Sequence, residues 1–68
     1  VSTLIETQAK EFRIKWGRLV QLADAGDDDA FCLCETQISA AVHGIMCQLG
    51  LEDYDSVRAE FDSHIHGE

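Results

Sequence analysis

Apolar residues recur along this chain at alternating spacings of four and three, in three separate runs. The first run is Ile5, Ala9, Phe12, Trp16, Leu19 and Ala23. That spacing returns to the same side of an α-helix every turn, so it predicts a helix over about 4–25 with a narrow apolar seam that Val20 widens. Thr3 followed by Glu6 has the spacing of a capping box, with each side chain reaching the other's backbone N–H. Lys10, Arg13 and Arg18 fall on other sides of this helix. Gly17 interrupts it away from the seam, at a cost of about 1 kcal/mol relative to Ala, and the pattern offers no reason for it.

Gly26 predicts the end of the first helix, because glycine takes the left-handed conformation freely. Asp27, Asp28 and Asp29 follow; one of them is expected to cap the next helix and the others to complement the positive end of its dipole. The second helix is expected over about 29–49. Phe31, Cys34, Ile38, Ala41, Val42, Ile45 and Leu49 make one broad apolar face. A second stripe, almost opposite, consists of Leu33, Ala40, Gly44 and Cys47, mostly small residues that let another backbone come close. A helix apolar on two sides is normally packed on two sides, so this stripe is the expected interface, either with a third helix or with another subunit. Gly50 stops the second helix, and Asp53 is the expected cap of a third over about 54–64, whose apolar face is Tyr54, Val57, Phe61 and Ile65. A helix of that length is marginal alone and must dock. The fold class that follows is all-α, a single helical domain over 1–68: an antiparallel helical hairpin plus a short third helix, dimerising into a helical bundle.

Size makes the dimer attractive. A 68-residue chain hides only about 60% of the surface it exposes when unfolded, and chains this small often gain stability from disulfides, a metal or a second subunit. The three cysteines, Cys32, Cys34 and Cys47, are odd in number, and no signal peptide is evident; both point to free thiols in a reducing, cytoplasmic setting. No stretch of 18 apolar residues suggests a membrane span.

Charge narrows the partners. The net charge is −8, from 13 acids and 5 bases, which disfavours direct binding to nucleic acid or anionic lipid. Its distribution is uneven: residues 1–23 hold four bases and two acids, whereas residues 24–68 hold Arg58 alone against 11 acids. The expected acidic surface comprises Asp27, Asp28, Asp29, Glu52, Asp55, Glu60 and Asp62, which would steer the protein towards a basic partner.

Motifs for chemistry are sparse. His43 and Cys47, four apart on one helical face, are the candidates for a metal, with His64 and His66 available to complete a set. No close ligand pairs of the CxxC or HxxxH kind accompany them, so no metal and no cofactor is expected. Asp24 to Glu35 has the length of a calcium loop, but Gly26 stands where an acid belongs and Asp29 where glycine is needed. Cys47 beside His43 lacks an orienting third residue and an oxyanion loop, so catalysis is not expected. The reading is a small, acidic, non-enzymatic interaction or regulatory protein acting through protein–protein contacts. The alternative is an acidic inhibitor that mimics nucleic acid and occupies a basic DNA- or RNA-handling protein. A metal- or thiol-dependent helical protein is the third.

Overall fold

The computed structural model describes residues 2–66, and over them the chain is all-helical. Helix α1 spans Ser2–Asp24, α2 Asp28–Leu49 and α3 Tyr54–His66. Because α1 already runs through Thr3, that residue lies inside the helix and the expected capping box does not form; Glu6 instead approaches Lys10 one turn on, at 3.9 Å. The helix is not regular throughout. Trp16 leaves helical geometry (φ −118°, ψ 15°), directly before Gly17. Kinks concentrate where a glycine weakens the backbone's preference for the helix.

Both inter-helix connections are closed by a glycine at positive φ. Gly26 (φ 100°) ends α1, with its N–H donated to the Ala23 carbonyl and the Asp27 N–H to that of Leu22. Gly50 (φ 68°) ends α2, and both its N–H and that of Leu51 turn back to Met46. These are the paired bonds that satisfy the last carbonyls of a helix, and a Cβ would oppose the conformation. Asp27 caps α2 by accepting from the Ala30 N–H at 3.1 Å, with Asp28 and Asp29 in the first turn. Asp53 does the same for α3, accepting from the Ser56 N–H at 3.2 Å and the Ser56 hydroxyl at 2.8 Å. Those two bonds hold its carboxyl below the usual range. At the other end, His64 and His66 occupy the last turn of α3, where a cation is favoured.

The core lies where the three helices meet. From α1 come Ile5, Ala9, Phe12 and Val20; from α2 Cys34, Ile38, Val42 and Ile45; from α3 Val57, Phe61 and Ile65. Phe61 is fully buried and meets Phe12 edge-on, with ring centres 5.6 Å apart. Trp16, Leu19, Ala23, Leu49 and Tyr54 are half-buried against this cluster. Phe31 departs from the expected face: it is 53% exposed, while Ala30 and Cys34 fill the core at that level. It lies to one side of the line Ala30–Cys34–Ile38 that points inward. No polar or charged residue is buried among the described residues. By length and composition alone α2 also reaches the level of a membrane-crossing helix (22 residues, mean hydropathy 1.2), a level that the core helix of a folded domain reaches as well.

Candidate interaction surfaces

The residues with chemical potential are largely engaged in holding α3 in place. Arg58 is the hub. Its Nη2 meets Glu35 Oε1 of α2 at 2.7 Å, its Nε donates to both carboxylate oxygens of Asp62 at 3.2 and 3.0 Å, and its Nη1 donates to the Tyr54 hydroxyl at 3.2 Å. Partial burial works against this charge, but the bonds to Glu35 and Tyr54 outweigh it and raise the pKa of the guanidinium above its usual value. Beside this cluster the His43 ring packs on Tyr54 with centres 4.9 Å apart, and its Nδ1 lies 2.9 Å from the Ser39 carbonyl. His43 is thus part of the α2–α3 contact.

The metal candidates His43 and Cys47 do not gather further ligands among the described residues. Among the described residues no three His, Cys, Asp or Glu side chains converge as a metal would need. His64 approaches Glu60 at 3.9 Å, and His66 approaches Asp24 at 3.6 Å across to the end of α1. All three cysteines are free: Cys32 and Cys47 are exposed and Cys34 is buried. Burial, followed by the charges of Glu35 and Asp24, pushes the Cys34 thiol up, away from the thiolate that nucleophilic chemistry needs.

Several of the surface acids have structural duties. Asp27 is a helix cap, Asp62 is held by Arg58 and Glu60 stands beside His64. Asp28, Asp29, Glu52 and Asp55 are exposed. Glu52, Asp53 and Glu60 surround a shallow hollow of about 240 Å³ floored by Ile5, Leu51 and Val57.

The second stripe of α2 lies open. Leu33 is 47% exposed, and Ala40, Gly44 and Cys47 are exposed as well. A Cβ built on Gly44 would meet nothing within 4 Å, so among the described residues no other helix comes close to it. Helix α3 therefore packs on another side of α2, through Glu35 and His43. A second open surface lies on α1. Along α1, beside the last residues of α3, runs a groove of about 680 Å³ with Lys10 and Arg13 at one end and Asp24 and His66 at the other. Ile14, 86% exposed, stands in it. Its one sequence signal was an isoleucine on the polar side of α1, three residues from Gly17.

Comparison with known proteins yields no match to any family model, any curated protein or any solved structure.

Proposed function

We propose that this chain is a small, acidic, non-enzymatic interaction or regulatory protein that works in a reducing cytoplasm through protein–protein contacts. In this reading α1 and α2 form an antiparallel hairpin, the chain associates with a second copy, and the stripe Leu33, Ala40, Gly44 and Cys47 is the face offered to a protein partner. One observation supports it above the others. The three helices complete a core of their own and still leave Ile14, Leu22, Phe31 and Leu33 substantially exposed. Scattered apolar residues are ordinary on a surface, but Leu33 continues into a run of small residues along one helix side, where a partner backbone could approach.

The test compares binding partners of the wild-type chain and of Leu33→Asp combined with Gly44→Arg, in nuclease-treated host lysate. Both positions are exposed, so helicity should be kept. The expected result is a protein recovered by the wild type and lost from the variant. Recovery of the same proteins by both would remove the stripe from the reading. A basic nucleic-acid-handling protein bound equally by both, and released by moderate salt, would favour mimicry through the acidic surface instead.

A further inference from the structure

The groove along α1 has a property that neither its volume nor its charge alone reveals: it is complementary to itself. Its α1 residues can be paired with those equally far on the other side of Gly17. Lys10 then falls opposite Asp24, Arg13 opposite Gln21, Ile14 opposite Val20, and Gly17 opposite itself. A helical face spaced by threes and fours is symmetric in its spacing, and although Trp16 leaves helical geometry beside the centre, residues on both sides of it line the one groove. The chemistry need not be, and here a cation faces an anion, apolar faces apolar, and the smallest residue sits at the centre.

We propose that a second copy of this chain docks in the groove, α1 against antiparallel α1, with a two-fold axis at Gly17. Such an interface is isologous, so each favourable pairing occurs twice. The order of charges selects this occupant. A uniformly acidic partner would meet Asp24 unfavourably and a uniformly basic one would meet Lys10 and Arg13; an antiparallel copy sets Lys10 against Asp24 at each end and Arg13 against the neutral Gln21. The overall charge of −8 and the basic excess of segment 1–23 both oppose pairing of two copies, so the two Lys10–Asp24 pairings and the apolar contact at the centre must offset that repulsion.

The contact also gives Gly17 a reason. Its φ is not positive and a Cβ there would meet nothing within 4 Å, so packing within one chain does not require glycine, whose part within the chain is confined to the kink at Trp16. Glycine at a helix crossing allows the two backbones to approach more closely than the usual 8–10 Å between axes. Ile14, 86% exposed in the single chain, would be covered by the partner's α1 beside Gly17, where Val20, itself largely buried in its own core, lines the floor of the groove. The ion pair that Lys10 makes within its own chain, to Glu6 at 3.9 Å, and the approach of Asp24 to His66 at 3.6 Å both join exposed side chains, so each is easily exchanged for a Lys10–Asp24 pair between copies.

This inference rests on the self-association part of the reading above and assigns it to α1, leaving the α2 stripe to other partners. The experiment has two arms. In the first, Gly17→Cys is placed in a chain with Cys32→Ser and Cys47→Ser, which removes the exposed thiols. Mild oxidation should give a covalent dimer, because disulfides need Cα atoms within about 7 Å; Gly44→Cys in the same background should not. In the second arm, sedimentation equilibrium compares dimer dissociation constants, with circular dichroism confirming helicity. Gly17→Leu should weaken the dimer at least about tenfold, which is about 1.4 kcal/mol, and Gly44→Leu should leave it unchanged. Lys10→Glu should weaken it and Lys10→Glu with Asp24→Lys should restore it. A chain that stays monomeric to about 1 mM, a dimer dispersed by Gly44→Leu but not by Gly17→Leu, or cross-linking at 44 and not at 17 would each overturn the proposal. None of these results bears on capture of a partner through Leu33.

Discussion

The contact between α1 and α2 and the docking of α3 are built differently. Among the described residues no side-chain hydrogen bond or ion pair joins α1 to α2, and what they share is the apolar cluster of Ile5, Ala9, Phe12, Cys34, Ile38, Val42 and Ile45. Helix α3 brings only Val57, Phe61 and Ile65 to that cluster, then adds polar bonds: Arg58 to Glu35 on α2 and His66 towards Asp24 on α1. The difference follows from length. Two helices of more than twenty residues have enough apolar side chains to specify how they pack. A helix of 13 residues with three buried side chains has few, and a planar guanidinium held by two carboxylates adds the geometric specificity that apolar contact lacks.

The largest loss is expected at Phe61, the fully buried residue of α3. Phe61→Ala should cost about 4 kcal/mol, lowering Tm by roughly 20 °C in a domain of this size. Thermal unfolding would measure it, and a loss no larger than that of Phe31→Ala, at a half-exposed position, would show that α3 is not anchored there. Arg58→Met should come next, at about 1 kcal/mol, since Glu35 and Asp62 are both more than a third exposed and solvent screens their share. Its mark is positional: amide exchange should rise across α3 and hardly change in α1. Equal rises in both helices would mean that Arg58 does not set α3 in particular.

The smallest effect concerns the cap of α3 and its dependence on pH. The Asp53 carboxyl is held low by its bonds from Ser56, so the folded chain favours its ionised form. The sign follows: this contribution is present above the ordinary carboxylate pKa and is lost as pH falls through the lowered value in the folded state. Asp53→Asn retains a capping oxygen without the titration. Melting curves of the two chains should therefore converge as the solution is acidified, and a constant gap across that range would contradict the role given to the charge.

Much of the fold was legible because it is local. The seam Ile5, Ala9, Phe12 and the face Val57, Phe61, Ile65 are one-dimensional patterns, and each buries as its period implies. Gly26, Gly50, Asp27 and Asp53 carry backbone chemistry that depends on near neighbours only. Phe31 was misplaced because a single apolar residue at the margin of a face can fall on either side of the inward line. The pairing of Arg58 with Glu35, 23 residues apart, depends on how α3 lies on α2, which no helical period encodes; the hint was that Arg58 is the lone base among residues 24–68 and stands four before Asp62. The open stripe of α2 was visible as a pattern, but that α3 would leave it uncovered was not. The groove on α1 went unseen because it lies on the side that the seam leaves to solvent.

The two glycine-closed connections have a consequence for how quickly the chain can find its structure. They contain three residues (25–27) and four (50–53). Closing loops of that length costs little entropy, and each helix meets the next as soon as both exist. Chains whose contacts are mostly near in sequence fold within microseconds to milliseconds. Such speed shortens the time during which Phe12, Ile38 and Phe61 stand unprotected in a crowded solution, which counts for more in a small domain with little stability to spare.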